Sequence, residues 1–262
     1  MKINKMVIKT LFFGLILSFA NTSYSFNKYL HYDIHYLKNS EYPCLSVQLN
    51  STINEKGKSS LIVPVGVQEL SFRLNGSETK MPRSSEEYIT VISGAPGTSF
   101  EAKYQFCLIN LLKSIQAPNI ERNSFSFRMP MVFISPVDHS KTPWDIRIQL
   151  SKMPKDFKLF SSYPIYDKTI GIHQSLDHFK NSILMGGSDL KHDKIVVNGQ
   201  TIHLVTGGKI TIDESPKYYL KKLITAHRNF WNDNDFTHYL VSYQKFGCEN
   251  NIPLTGVTMK MQ

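Results

Sequence analysis

Apolar and polar residues alternate strictly along much of the first 150 residues. Between residues 99 and 106 every second residue is apolar, and the residues between them are Ser, Glu, Lys and Gln. This alternation places the apolar side chains on one face of a strand, whereas a helix would scatter them around its axis. About eight short segments of this type follow one another without a helical segment between them. The pattern predicts an antiparallel β-sandwich.

The N-terminal 25 residues have the composition of an export signal. Three lysines precede an uncharged apolar run at residues 11–20, which is about half the length needed to cross a bilayer. Small residues on both sides of Tyr24 suit cleavage before Phe26. We therefore predict a signal peptide at residues 1–25 and a periplasmic or secreted mature protein. The alternative is a retained membrane anchor.

The charge balance of the predicted mature chain limits the classes of partner that it is expected to bind. Without the three lysines of the signal, 27 Lys and Arg residues stand against 21 Asp and Glu residues, a net charge of +6. The basic residues are scattered, except for Lys217, Lys221 and Lys222 on the polar face of a predicted helix. An exported protein without a basic stripe is not expected to bind nucleic acid. We expect peptide or protein partners, weak attraction to anionic surfaces and no stable membrane insertion after signal cleavage.

The sequence pattern changes after about residue 150. Two segments suited to strands are joined by Asn198-Gly199, which favours a two-residue hairpin turn because both residues tolerate positive φ. A helix is predicted next, with Ser215 as its cap and Pro216 in its first turn. Its predicted buried stripe combines apolar residues and one histidine at helical spacing: Leu220, Leu223, Ile224, His227, Phe230 and Trp231. A further strand is predicted at residues 236–243.

These patterns predict two structural parts after the signal. The first is an antiparallel β-sandwich at residues 26–165. The second is a smaller sheet-plus-helix lobe at residues 166–262. The predicted fold class is therefore mainly β with an α+β C-terminal part.

The chain contains three cysteines, two of them in or beside predicted sandwich strands. In an oxidising compartment Cys44 and Cys107 are suited to form a disulfide, and buried free thiols are the alternative. The bond would join residues 63 apart in the sequence and contribute about 4 kcal/mol in the chain-entropy model. Cys248 would then remain single.

No complete catalytic motif is present in the sequence. The helix of a zinc peptidase would carry H-E-x-x-H, and no histidine of this chain is followed by glutamate. His31 and His35 are four apart but lie in a strand-like segment, where surface or packing roles are the alternative to metal binding. His173, Asp177 and His178 lie in a polar segment, where ordinary loop roles are the alternative.

The segment Gly186-Gly187-Ser188-Asp189 carries only the first half of the nucleophile turn of a serine hydrolase. Leu190 occupies the position at which G-x-S-x-G requires its second glycine. The two glycines are therefore predicted to mark a close turn rather than to expose a nucleophile.

Several motifs resemble, in the same order, those of one peptidase family. They are the glycines at 186–189, the strand end at 207–210, the segment His227-Arg228-Asn229-Phe230-Trp231-Asn232-Asp233, the strand at 238–243 and, in the sandwich, Leu61-Ile62-Val63-Pro64 and Gly94-Ala95-Pro96-Gly97. Over most of residues 28–245 the chain resembles the exported branch of the glycyl aminopeptidase-like zinc metallopeptidases, metallopeptidase family sixty-one. The resemblance implies that the lobe corresponds to the start of a thermolysin-like catalytic domain.

The resemblance also implies what this chain does not carry. In that family the catalytic domain continues into a helix with H-E-x-x-H, whose zinc is the cofactor. Gly247, Glu249 and Asn250 weakly resemble the motif with which related aminopeptidases bind the substrate N-terminus, and a solvated loop is the alternative. The expected protein is an exported, truncated and catalytically incomplete family member, with no catalytic residues, no metal ligands and no cofactor of its own.

Two other functions are compatible with the sequence. A secreted β-sandwich would bind a peptide, a glycan or a host surface, with Tyr29, Tyr32 and Tyr36 predicted as exposed aromatic contacts. A hydrolase would instead use Ser188 or the polar segment at 173–178.

Overall fold

A computed structural model describes most of the chain beyond residue 27. The described residues are 28–38, 43–79, 88–107, 118–138, 141–207, 212–231, 238–245 and 255–259. Within them the chain forms eighteen strands, two α-helices and a short 3-10 turn at Met129–Met131. The protein is mainly β with an α+β C-terminal part, so the predicted fold class is confirmed.

Fourteen strands and a short helix make up the N-terminal part of the described chain. They are β1 Tyr29–Leu37, β2 Cys44–Thr52, β3 Lys58–Ile62, β4 Val67–Leu74, β5 Ser77–Thr79, β6 Ile89–Ser93, β7 Ser99–Cys107, β8 Asn119–Glu121, β9 Ser124–Arg128, β10 Ser135–Pro136, β11 Trp144–Lys152, β12 Lys158–Ser161, β13 Thr169–Gln174, α1 Leu176–Lys180 and β14 Ile183–Gly187. A seven-stranded sheet has the order β13-β11-β1-β2-β7-β4-β5. Two smaller sheets have the orders β12-β14-β9-β8 and β10-β3-β6. The described pairs are antiparallel except β1 with β11.

The hydrophobic core of this part is shared by all three sheets. Alternate residues of β1 point into it, and Leu30, Tyr32, Ile34 and Tyr36 are buried there. The ring of Tyr32 stacks on that of Phe133 with centroids 4.7 Å apart. Strands with one buried and one exposed face stabilise a fold by packing two such faces together, which is the architecture of a sandwich.

The predicted exposure of two tyrosines is wrong. Tyr32 is fully buried and Tyr36 is 6% exposed, whereas Tyr29 is half-buried. The Tyr32 hydroxyl donates a hydrogen bond to the Ile134 carbonyl oxygen at 2.7 Å. Burial raises the pKa of Tyr36 to about 12. Residues two apart on a strand share a face, so the phase that buries Ile34 also buries both tyrosines.

A disulfide joins Cys44 and Cys107, with an S–S distance of 2.06 Å. The two residues lie directly opposite each other on β2 and β7, neighbouring strands inside the seven-stranded sheet. The antiparallel register continues from this pair to Thr52 opposite Ser99, so the bond closes one end of a nine-pair ladder. Cys248 lies outside the described residues.

The C-terminal lobe is a four-stranded sheet with a helix on one face. Its elements are β15 Lys191–Val197, β16 Gln200–Thr206, α2 Glu214–Trp231, β17 Tyr239–Lys245 and β18 Thr255–Met259. The strand order is β15-β16-β17-β18, and β16 and β17 are parallel because α2 carries the chain back across the sheet between them. Asn198 and Gly199 form the predicted hairpin turn with positive φ. No helix within the described ranges is long and apolar enough to span a bilayer.

Helix α2 buries a different stripe from the one predicted. Of the six predicted residues, Ile224 is fully buried, two are half-buried, and two are exposed, Leu223 at 54% and Phe230 at 78%. The side chain of Trp231 lies outside the described part of the chain. A helix that lies on a sheet contacts it along one stripe, and the apolar residues of α2 form two stripes on different sides. The prediction therefore merged a buried stripe with an exposed one.

The sandwich sheets continue beyond the boundary predicted at residue 165. Strand β13 pairs with β11 in the seven-stranded sheet, and β14 pairs with β9 in the four-stranded sheet. Both strands are thereby held in the N-terminal part by their backbone hydrogen bonds. The lobe sheet begins only at β15. We therefore propose that the junction between the two parts lies at residues 188–190.

Candidate functional site

Three histidines lie side by side where the lobe meets the sandwich. His192 is on β15, His203 is on β16, and His238 directly precedes β17; we call these three the histidine row. The hairpin register pairs Lys194 with His203, which brings His192 and His203 diagonally beside each other on one face. The ring centroids are 5.1 Å apart in each neighbouring pair of the row.

Two hydrogen bonds orient the histidine row. His192 Nε2 lies 2.9 Å from His203 Nδ1, so one of these nitrogens carries the proton and the other accepts it. His238 Nε2 lies 2.9 Å from the carbonyl oxygen of Ser161. Because a carbonyl oxygen can only accept, this bond requires the proton of His238 on Nε2.

The histidine row forms part of the contact between the lobe and the sandwich. The ring of His192 lies 4.9 Å from that of Phe160 on β12. Lys158, on the same strand, donates from Nζ to the Leu190 carbonyl oxygen at 3.1 Å. An apolar cluster from both parts lies behind these contacts: Phe160, Ile183, Met185, Leu190, Val205 and Leu240.

The surroundings of His192 and His203 disfavour the protonation of these two residues. Burial lowers the pKa of His192; the charge of Lys194 lowers it further, Asp193 raises it, and Lys158 lowers it. Burial also lowers the pKa of His203, and the two other histidines of the row and Lys194 lower it further. Adding protons to the row would place like charges on neighbouring rings at the contact between the two parts.

Stability should therefore fall in mild acid. Above the ordinary histidine pKa of 6.5 both residues are neutral in the folded and unfolded states. Below it the unfolded chain takes up protons more readily than the folded chain, because the folded pKa values are lowered, and the free energy of unfolding decreases. The urea midpoint should drop between about pH 7 and about pH 5, and His203→Gln should reduce this drop. Val196→Gln, at an exposed site of the same sheet, should leave it unchanged; equal slopes in all three proteins would contradict the assignment.

The arrangement of the row is not that of a catalytic metal site. Among the described residues no group of three His, Cys, Asp or Glu side chains could hold a metal ion. Within the row one ring nitrogen of each histidine, His192 Nε2, His203 Nδ1 and His238 Nε2, is hydrogen-bonded to another histidine or to a carbonyl oxygen. The pair His31 and His35 lies on β1, where His35 Nε2 is 3.3 Å from an Asp33 carboxylate oxygen. The geometry of the row supports a proton-sensitive contact.

The residues considered for a hydrolase are not brought together. Ser188 follows β14, and its backbone N–H donates to the Asn123 carbonyl oxygen at 2.9 Å. His173 lies on β13 with a side chain that is 71% exposed, and its Nδ1 is 2.5 Å from Asp145 Oδ1. The acidic residue and histidine at 177 and 178 are in α1. Within the described ranges no hydrogen bond joins the Ser188 side chain to a histidine.

The two glycines predicted to mark a close turn are the last residues of β14. Gly186 and Gly187 are buried and pair with Phe125 and Ser124 of β9. A Cβ atom on Gly187 would lie 2.7 Å from the Cβ atom of Ser124 and 2.9 Å from the Asn123 carbonyl oxygen. Glycine is therefore required by the close approach of two strands, and the turn prediction is wrong.

A cleft of about 370 Å³ opens in the sandwich beside the ends of β2 and β3. On its wall Asp138 Oδ2 accepts hydrogen bonds from Lys28 Nζ and Trp144 Nε1, each at 2.9 Å. Glu55 and Lys56 are exposed at its edge. The volume lies within the range of small-ligand pockets.

The predicted substrate-binding residues fall between β17 and β18 in the chain. Gly247, Glu249 and Asn250 lie outside the described residues, and their role stays a prediction. Strand β18 pairs antiparallel with β17 at the edge of the lobe sheet.

Solved structures with a similar architecture are peptidases. One is an aminopeptidase N family protein from Idiomarina loihiensis, with a TM-score of 0.65 and 15% sequence identity in a match that covers 80% of this chain. Another is a substituted M1 zinc metallopeptidase from Deinococcus radiodurans bound to a Tyr-Ser-Ala substrate, with a TM-score of 0.50, 11% identity and 82% of this chain covered. No protein-family model and no curated protein matches the sequence.

The matched proteins are longer than this chain. The match covers 38% of the Idiomarina protein and 55% of the Deinococcus protein. At such low identity the similarity establishes a shared fold and leaves activity to be argued from the residues. The sandwich and the α+β lobe together have a peptidase-like fold.

Proposed function

We propose that this chain is the non-catalytic N-terminal portion of an exported aminopeptidase of the glycyl aminopeptidase-like family, metallopeptidase family sixty-one. The observation that carries the proposal is the order of its parts, a β-sandwich followed by a sheet-and-helix lobe. Over 80% of the chain this order is similar to that of an aminopeptidase N family structure. The order of the sequence motifs between residues 61 and 243 supports the narrower family.

The chain's own residues do not fit a catalytic zinc ion. In such peptidases zinc lowers the pKa of a bound water and polarises the carbonyl that is attacked. The ion requires two histidines four apart on a helix, with glutamate beside the first as general base. None of the nine histidines of this chain is followed by glutamate. In this proposal the chain supplies framework and binding surface, and the hydrolytic water is activated by residues outside it.

The lobe would contribute contacts to the substrate. Gly247, Glu249 and Asn250 lie in the chain between β17 and the edge strand β18 and remain the proposed contacts for a substrate N-terminus. A carboxylate such as that of Glu249 is suited to this role because it accepts charge-assisted hydrogen bonds from an α-ammonium group.

The purified chain is therefore expected to hydrolyse neither glycyl nor alanyl p-nitroanilide, with or without added zinc. It should also contain no stoichiometric zinc by elemental analysis, because no set of ligands for the ion is found among the residues that the structure describes. The matched control is His203→Gln, since a host peptidase carried through purification would contribute equally to both proteins. Metal-dependent turnover that follows the wild-type chain through successive columns would refute the proposal, whichever of its residues carry the activity.

Export is the second part of the proposal. It is supported by the lysine-led apolar run at residues 11–20 and by the disulfide, a bond typical of oxidising compartments. The proposed location of the mature chain is the periplasm or the extracellular medium.

A second candidate function is the binding of a peptide, a glycan or a host surface by the sandwich alone. The cleft favours it, because its volume of about 370 Å³ and its Lys28–Asp138 ion pair suit a small polar ligand. Tyr32 and Tyr36 are buried and would not contribute. This function would require neither zinc nor a further polypeptide, which distinguishes it from the first.

A further inference from the structure

Helix α2 places an arginine in the stripe that faces the lobe sheet. Arg228 lies four residues after Ile224, and residues four apart share one face of a helix. Ile224 belongs to the apolar core that α2 forms with β16 and β17. Arg228 is only 1% exposed and is the largest fully buried side chain among the described residues. A charged group therefore occupies a position where an apolar side chain would be expected.

Two described side chains contact the guanidinium group of Arg228. Nη1 donates a hydrogen bond to Gln200 Oε1. The guanidinium carbon lies 5.2 Å from the centroid of the Tyr239 ring, a distance at which the ring face attracts a cation. Gln200 and Tyr239 are the first residues of β16 and β17, which are neighbouring parallel strands. The group is thereby held between the last turn of α2 and the starts of two strands.

One edge of the guanidinium group carries two further donors. Arg228 Nε and Nη2 are buried, and neither has a hydrogen-bond partner among the residues that the structure describes. In a guanidinium group the N–H bonds on the Nε–Nη2 edge are parallel, so this edge can donate to two oxygen atoms that lie side by side. The hydrogen bond to Gln200 uses Nη1 and leaves this edge unchanged.

Burial of this edge is costly unless an anion binds it. Arginine keeps its charge inside a protein, so it cannot avoid the cost by releasing a proton. The Tyr239 ring offsets only part of the cost, because the ring carries no net charge. Within the described part of the lobe, the ion pairs join Lys217 to Asp193 and Glu214 and do not involve Arg228. Since native proteins pair nearly all of their buried charges, the site requires a negatively charged partner.

We propose that the Nε–Nη2 edge of Arg228 binds a carboxylate group. A carboxylate is planar, and its two oxygen atoms can accept two parallel hydrogen bonds from this edge while they neutralise its charge. It is smaller and less highly charged than a phosphate group, which suits an almost fully enclosed site beside an aromatic ring. A free small acid and an acidic side chain of the same polypeptide present this same chemistry. The site does not depend on any peptidase function.

The first test measures the effect of formate, the smallest carboxylate, on stability. Sodium formate should raise the urea midpoint of the wild-type chain by roughly 0.5 M more than sodium chloride of equal ionic strength, because a ligand that binds only the folded state stabilises it. Arg228→Lys keeps the charge but lacks the parallel donors and should lose this difference. Arg147→Gln, which changes an exposed arginine on β11, should keep it. This result would identify a free carboxylate as the ligand.

A carboxylate of the same polypeptide would give a different result, because it would already occupy the site. Formate would then leave the wild-type midpoint unchanged. When each Asp and Glu of residues 188–262 is changed singly to its amide, one variant should lose as much stability as Arg228→Lys, and formate should restore that variant. The same amide substitution made together with Arg228→Lys should cause no further loss.

The proposal is overturned if formate acts equally on the wild type and on Arg228→Lys and every amide variant adds its effect to that of Arg228→Lys. It is also overturned if neither formate nor any amide substitution changes the environment of the guanidinium group. The Nε–H proton resonance of Arg228, followed by NMR in the wild type and in the amide variants, measures that environment directly. This measurement decides the question even where Arg228→Lys does not fold.

Discussion

Replacing Cys44 and Cys107 together by alanine should lower the free energy of unfolding by about 4 kcal/mol. The disulfide closes a loop of 63 residues, so its loss frees the unfolded chain far more than the folded one. In the folded state β2 and β7 remain paired along their whole register, which is why the sheet should persist without the bond. The urea midpoint measures the loss, with unchanged far-ultraviolet circular dichroism as evidence that the fold is retained.

A reducing agent supplies the matched control for this prediction. Dithiothreitol should lower the midpoint of the wild-type chain to nearly that of the double variant and should leave the variant unaffected. A wild-type midpoint that does not respond to reduction would show that the two cysteines contribute as free thiols. Reduction leaves the two buried sulfur atoms in the sheet, whereas the substitution to alanine removes them. An equal loss of stability in both experiments would therefore show that the loss comes from the cross-link and not from the packing of the sulfur atoms.

The sandwich was predictable from the sequence because apolar and polar residues alternate with a period of two, which indicates strands with one buried face. In β7 the alternation of buried and exposed residues follows the sequence pattern position by position, and in β1 it decides which side chains reach the core. The two tyrosines of β1 were assigned to the surface on residue type rather than on this period. Residue type alone does not predict whether a tyrosine is buried, because its hydroxyl can form a hydrogen bond inside a protein, as that of Tyr32 does with the Ile134 carbonyl oxygen.

The end of the sandwich was not predictable from composition. Strand β13 follows a segment rich in turn residues and β14 follows the short helix α1, and only their long-range pairing with β11 and β9 assigns them to the earlier sheets. For helix α2, the helical spacing of the apolar residues is by itself compatible with two different apolar stripes. The sheet selects the one containing Ile224 because a single layer of strands covers only one side of a helix.

The histidine row was missed although part of its signal is in the sequence. Once Asn198-Gly199 is taken as a two-residue turn, the register of the hairpin follows and sets His203 opposite Lys194 and diagonal to His192. His238 could not be added in this way, because β17 joins the sheet in parallel after a helix and its register depends on tertiary packing.

The segment at 186–189 has a structural role that a substitution should expose. Gly187→Ala is expected to lower the free energy of unfolding by about 3 kcal/mol. The added Cβ atom would meet Ser124 Cβ at 2.7 Å, Asn123 O at 2.9 Å and Ser124 Cα at 3.1 Å. Two of these atoms belong to the backbone of β9 and its turn and the third is the Cβ atom attached to it, and the ladder between β9 and β14 keeps them from moving away. The cost would appear as a lower urea midpoint.

Gly171→Ala provides the matched control, because it makes the same chemical change on a strand with open space around it. Nothing lies within 4 Å of the Cβ position at Gly171, which is in the edge strand β13. The free energy of unfolding of this variant should change by less than about 1 kcal/mol. Alanine restricts the unfolded chain more than glycine does, which slightly stabilises the folded state. Equal and small effects at both sites would mean that β9 and β14 can separate without cost. A large loss of stability in Gly187→Ala alone would show that glycine is needed there for the packing of two strands at the end of the sandwich, one residue before the junction with the lobe.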